Sequence, residues 1–378
     1  MAADDDADAG LAQPSLAQPS LTEPGLPDLE RILLGAKLTL TRQEVADQAG
    51  VPLELAEELW GQLGFPHAAD DDVAFNTFDV TALKQTAELV ALGILEPESQ
   101  SALVRTWGRS FARLAEWQVS LLAGIALADD DPAARLDELV TKVLPNVERL
   151  QDYIWRRHLL SASQRLLPHA EAGEEDRTMA VGFTDIVGYT SQSKNLTESE
   201  LVDLVELFED ETTRLVVAAG GRVIKTIGDE VLYVADDPHA GVDVALELTR
   251  RGEDGDDDFP RVRAGLAFGA VTSRLGDVFG PTVNIASRLT SVARPGTVLV
   301  DRGAFDALTG NDQPPDTAPD GTPLTKLLDR AADELAELSP YAEHGDLRFR
   351  RLRRVSVKGY RHLEPWSVRR RTWESRSS

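Results

Sequence analysis

The sequence predicts two folds in series, an all-α segment followed by an α+β sandwich whose strands and helices run in a ferredoxin-like β-α-β-β-α-β order. Three observations predict it. Residues 28–168 are Leu/Ala-rich with helical spacing between turn signals, and after Arg177 short β-type runs alternate with helices. At 378 residues the chain also has length for two cores.

Composition narrows the classes of protein. The chain contains no cysteine, which excludes disulfides, zinc ribbons and thiol nucleophiles and fits a reducing cytoplasm. The opening MAADDDADAG carries acid where a secretory signal carries base. The longest apolar candidate, Val119 to Ala128, is far short of the ~20 residues of a membrane span. A cytoplasmic protein with no membrane span is therefore expected. The formal net charge of -25 opposes nucleic acid and anionic membranes over most of the surface. A polyanionic ligand would need a local pocket.

Residues 1–27 hold LAQPS twice in tandem and a degenerate LTEPG, a composition that buries little and reads as a disordered tail. The all-α domain over 28–168 is punctuated at Gly50-Val51-Pro52, Gly64-Phe65-Pro66 and Glu96-Pro97. Its last segment sets Leu136, Leu139, Val143, Leu144, Val147, Leu150, Ile154 and His158 on one stripe of a long amphipathic helix. Pro145 should kink or split that helix. Residues 169–176 (HAEAGEED) read as a hinge into the second domain, 177–378, within which about 310–344 looks like an inserted loop and helix.

Three stretches of the second domain carry chemistry. FTDIVGYT ends an apolar strand on Asp185 and turns at once through Gly188, Tyr189 and Thr190, where backbone N–H groups can cradle phosphate. KTIGDE places Asp229 in a Gly-Asp turn between two β-runs. Either acid alone is more simply a strand-ending or turn residue. If the hairpin lies beside the first strand, both converge on one or two divalent ions, and hard oxygen ligands suit Mg²⁺ or Mn²⁺. In GDVFGPTVNIASR, Asn284 and Arg288 lie four apart on one helix face, an amide and a guanidinium suited to a phosphoryl group, after Asp277 in a Gly-bracketed turn.

FTDIVGYT, KTIGDE and GDVFGPTVNIASR together, in that order, resemble the class III adenylate and guanylate cyclases over roughly 178–370. The helical segment resembles the regulatory domain of actinobacterial two-domain cyclases. The resemblance implies that Asp185, Asp229 and the Ile186 carbonyl hold two metal ions. It implies that Lys225 and Asp277 read adenine, so that the substrate is ATP; a donor-only lysine and an acceptor-only carboxylate match N1 and the N6 amino group. Asn284 would orient the ribose, Arg288 would stabilise charge on the α-phosphate, and Lys358 would hold the triphosphate. In this family the metal acids come from one protomer and the other groups from its partner, which implies a homodimer. Cyclic AMP and pyrophosphate would be the products.

Two rival functions stand beside this one. Residues 40–64 resemble a DNA-binding helix-turn-helix with Gly50 in its turn. Residues 28–100, however, hold fourteen acidic and four basic side chains, the wrong sign for binding phosphate backbones. A catalytically silent nucleotide-binding sensor is the other. Regulation by the helical domain is expected from its place ahead of the first catalytic strand, and a small molecule, or acid acting through His67, His158 or His169, is a candidate signal.

Overall fold

The computed structural model describes residues 31–92, 97–172, 177–310, 341–352, 355–357 and 360–371. The tail over 1–27 and Lys358 lie outside them, as does all of the 310–344 insertion except its two ends. The chain divides into two compact units, Met1–Leu166 and Leu167–Ser378.

The first unit is helical. Helix α1 (Arg42–Ala49) starts on Thr41, whose hydroxyl accepts from the Glu44 N–H while the Glu44 carboxylate accepts from the Thr41 N–H. This capping box satisfies two amides that the first turn leaves open. Gly50 closes α1 at φ 70°, and α2 (Leu53–Leu63) follows, so the helix-turn-helix shape does form. With α3 (Thr77–Ala91) and α4 (Pro97–Leu127) these helices enclose Val45, Ala46, Ala56, Leu59, Val80, Leu83 and Val104. Trp60 stacks on Phe75 at 4.6 Å.

The long terminal helix departs from a single stripe. Helix α5 (Pro132–Glu138) runs into a π-helical turn, Leu139–Val143, before α6 (Leu144–Ala172). The Leu144 N–H bonds to the Leu139 carbonyl, five residues back. Pro145 is the cause: it has no N–H for the Thr141 carbonyl, and its ring crowds that group, so the wider turn relieves the clash. The added residue rotates the pattern, and Leu139 and Val140 are buried while Leu150 and Ile154 are exposed. Helix α6 also continues to Ala172. The first four residues of the expected hinge are thus helical, in keeping with the Ala and Glu content of HAEA, and 173–176 lie outside the described residues.

The second unit is built on a sheet ordered β2-β3-β1-β4-β6-β11-β8-β7, with β5 paired to β4 off this path. Its central strands are β1 (Arg177–Ile186), β2 (Arg222–Ile227), β3 (Glu230–Ala235) and β4 (Val262–Arg274). β4 runs unbroken for 13 residues. β5 (Asp277–Phe279), β6 (Val298–Val300), β7 (Tyr341–His344), β8 (Leu347–Arg351) and β11 (Trp366–Arg370) complete the sheet, and β9 (Val355–Val357) pairs with β10 (Tyr360–Leu363) apart from it. The β4–β6 pair is parallel and the others are antiparallel.

Helices flank the sheet: α7 (Tyr189–Gln192), α8 (Glu198–Ala218), α9 (Pro238–Glu253), α10 (Pro281–Val292) and α11 (Arg302–Thr309). The strands' apolar residues alternate between faces. On one face Tyr233, Val262 and Leu266 meet Phe208 of α8 and Leu246 of α9, and on the other Val181, Phe183 and Leu232 meet Ala286 of α10. Gly265 lets α10 lie directly on β4, because a Cβ there would meet the Thr290 N at 2.3 Å. The Thr290 hydroxyl fastens the same helix to β1 by donating to the Phe183 carbonyl at 3.3 Å.

Candidate active site

Asp185 stands near the end of β1 with Glu230 of β3 opposite it on one side and Arg263 of β4 on the other. Asp229 follows Gly228 in the β2–β3 turn, and its carbonyl accepts from the Ile186 N–H at 3.0 Å. The hairpin therefore does lie beside the first strand, and it brings the two acids together. Arg263 answers their charge: its Nε and Nη2 reach Asp185 Oδ2 at 2.7 and 2.6 Å.

The local field follows from these neighbours. Burial pushes the Asp185 carboxyl above its ordinary value, Arg263 pulls it down, and Asp229 pushes it up again. Glu230 is pushed up to about 7, first by burial and then by the carboxylates of Asp185 and Asp229. Asp185 and Asp229, side by side with Arg263 on the first of them, present hard oxygen donors of the kind a divalent cation takes.

A cleft of about 370 Å³ opens here. Asp185, Ile186 and Asp229 form its acidic part, and Gly188, Tyr189, Thr190 and Ser191 line the turn that follows, with Gly188 at φ 73°. Lys194 and Arg263 supply positive charge to the same cleft. Carboxylates for a cation beside cations for an anion suit a metal-bound polyphosphate.

The remaining candidates form a separate group. Lys225 Nζ donates to Asp277 Oδ2 at 2.5 Å, across 52 positions in the sequence. Asn284 and Arg288 are exposed on α10. None of these four lines the cleft of Asp185 and Asp229. Lys358 lies outside the described residues.

Sequence reasoning missed Arg263, Lys194 and Glu230. Arg263 is 78 residues from Asp185, and only the β1–β4 register makes them neighbours. Glu230 was legible as a carboxylate next to Asp229, a signal left unused. Lys194 sits in a polar turn without a motif of its own.

A mixed sheet flanked by helices, with two acids brought together at the end of its first strand, is the frame of the second unit. Residues 172–318 match the family of adenylate and guanylate cyclase catalytic domains. An adenylate cyclase of Glutamicibacter nicotianae is 40% identical over 303 residues, spanning 75% of this chain and 74% of that protein. One of Streptomyces coelicolor is 41% identical over 288 residues, covering 74% of each. A Mycobacterium tuberculosis protein named pH-sensitive adenylate cyclase is 33% identical over 280 residues, covering 71% of this chain and 70% of that one. This chain belongs to the class III adenylate cyclases and is an enzyme of that family. No helix among the described residues is long and apolar enough to cross a membrane.

Proposed function

We propose that the second unit converts ATP to 3′,5′-cyclic AMP and pyrophosphate at two sites shared between two copies of the chain. The observation that carries this reading is the division of functional side chains into two groups, one lining the Asp185–Asp229 cleft and one outside it. A single copy thus holds two halves that a head-to-tail pair would join twice.

The donor set fits a divalent ion. Among the described residues no group of three His, Cys, Asp or Glu side chains forms a closed cage; two aspartates and the Ile186 carbonyl leave positions for water and phosphate, as Mg²⁺ or Mn²⁺ requires. Two such ions would make the ribose 3′-oxygen a better nucleophile and shield charge on the leaving pyrophosphate. The 3′-oxygen bonds to the α-phosphorus, its proton passes to solvent, and the bond from that phosphorus to the bridging oxygen breaks.

The protein's part is positioning and charge. Asp185 and Asp229 anchor the cation side of the cleft, and the turn at Gly188, Tyr189 and Thr190 receives the triphosphate. Arg263 exchanges Asp185 for phosphate oxygens, with Lys194 beside it. From the other copy, Lys225 donates to adenine N1 and Asp277 accepts from N6. Asn284 orients the ribose, Arg288 meets the charge growing on the α-phosphate, and Lys358 contacts the triphosphate.

The helical unit, 28–168, is the regulatory domain in this reading, and the protein works in the cytoplasm. Its signal is a small molecule or acid, the latter supported by the name of the mycobacterial relative. The acidic balance around the helix-turn-helix speaks against DNA as its ligand. Removing residues before Glu171 should change specific activity; equal activity of both chains at every pH would remove regulation.

Purified chain incubated with ATP and Mg²⁺ or Mn²⁺ should yield cyclic AMP, and with GTP far less product. Asp229→Ala and Arg288→Ala should each be inactive and should regain activity when mixed. No cyclic AMP with either ion would leave a silent sensor, and no regain would place each site within one copy.

A further inference from the structure

Helix α10 sorts its residues by face. Thr282, Ala286 and Thr290 recur every four residues and are buried, while Asn284 and Arg288 fall between them and are exposed. A buried hydroxyl on such a contact face needs a partner. Thr290 has the Phe183 carbonyl. Thr282 donates to the Ala270 carbonyl of β4 at 2.7 Å.

The bond from Thr282 stands at the junction of strand and helix. The β4–β5 pairing ends at Phe279, opposite Thr272, and the chain turns into α10 through Gly280 at φ 132°. Gly280 gives the helix no side-chain cap. The first turn closes by the Asn284 N–H on the Gly280 carbonyl at 3.3 Å, longer than most such bonds. The Thr282 hydroxyl ties this turn to β4 from within. Gly269 keeps the approach open, because a Cβ there would meet the Thr282 Oγ1 at 3.0 Å.

We propose that Thr282 is a positioning residue for Asn284: its hydroxyl fixes the depth and rotation of the first turn of α10 over β4, and so the place from which the Asn284 amide orients the ribose. The inference rests on the role given to Asn284 above. A methyl group in place of the hydroxyl does not fit this contact. Carbon stands about 3.3–3.6 Å from a carbonyl oxygen, against 2.7 Å for the hydroxyl, so valine pushes the turn outward by roughly half an ångström or more. A misplacement of about 1 Å costs a reaction about 100-fold.

Thr282→Val in the full chain should lower kcat for ATP by ~10-fold or more and leave KM within about twofold. Thr282→Ser keeps the donor and should retain kcat within about threefold. Asn284→Ala supplies the readout that general damage would not move: in that background Thr282→Val should cost less than about threefold. Gly269→Ala presses on the same hydroxyl from the strand and should lower kcat by about threefold with circular dichroism unchanged. An unchanged kcat in Thr282→Val, a serine variant as slow as the valine one, or an equal cost with and without Asn284 overturns the proposal. If Thr282→Val does not fold, an unchanged kcat in Gly269→Ala overturns it. Cyclic AMP formation by the unaltered chain separates the two readings: its absence removes the role of Asn284 and this proposal together, whereas an active chain that tolerates Thr282→Val removes this proposal alone.

Discussion

In the catalytic unit Phe208, Tyr233 and Phe349 are fully buried, whereas in the helical unit Phe111 and Trp117 stand 60% and 64% exposed on α4. Both units have an apolar core, yet the helical unit leaves many more of its large apolar residues exposed. Sheet strands present two faces and receive helices on each, so side chains of β1, β3 and β4 find partners within the unit. Helices α4 and α6 show more apolar surface than α1, α2 and α3 cover. The catalytic unit is thus stabilised from within, while much of the helical unit's apolar surface adds nothing to its own folding.

The largest test of this contrast is chemical. Asp185→Asn should lower specific activity by about three orders of magnitude or more, since one carboxylate cannot hold a metal-bound triphosphate, while leaving circular dichroism unchanged. Loss of folding instead would mean that the cleft belongs to the core. Next comes packing: Phe208→Ala should cost about 3–5 kcal/mol in urea denaturation, whereas Trp117→Ala should stay within about 0.5 kcal/mol. Equal losses would erase the distinction between the units.

Substrate choice should respond more modestly. Asp277→Ala leaves Lys225 without its partner, and the preference for ATP over GTP in kcat/KM should fall by about tenfold or more. Thr41→Ala removes the capping box of α1 and should cost the helical unit about 1 kcal/mol, read as an earlier first transition in thermal unfolding.

A pH dependence is expected at Asp301. Its carboxylate accepts from the Phe268 and Ala304 N–H groups and caps α11. Burial pushes the carboxyl up to about 6 against the lowering pull of these amides. A folded-state value above the unfolded one gives stability that is full below the ordinary carboxylate range and lost as pH rises through about 6. Relative to Asp301→Asn, the wild-type urea midpoint should therefore fall between about pH 4 and 6 and change no further above 7. A flat difference would show that the amides offset burial, and a midpoint that rises with pH would show that they outweigh it.

The sequence made some of these features plain and hid others for physical reasons. The approach of Asp229 to Asp185 was legible because a strand end and a Gly-Asp turn are local signals, whereas Lys225 and Asp277 were singled out by the resemblance alone. Helices α1 and α2 were legible through Gly50 and Gly64. Arg263 was not, because its meaning comes from strand register, which pairs residues far apart in the chain. Pro145 was read as a break, and a proline does break an ideal helix; that the chain answers with a wider turn depends on the carbonyls behind it.

That wider turn has a geometric meaning for the rod it interrupts. A residue wound into a π-turn is one that the α-helix beyond it does not count. Rewinding Leu139–Val143 into regular α-helix would swing every later side chain of α6 by about 100° around the axis and shift it by about 1.5 Å along it. Leu150 and Ile154, now open to water, would then point elsewhere. A single proline thus leaves this helix with two phases of the same sequence, differing by one step of its screw.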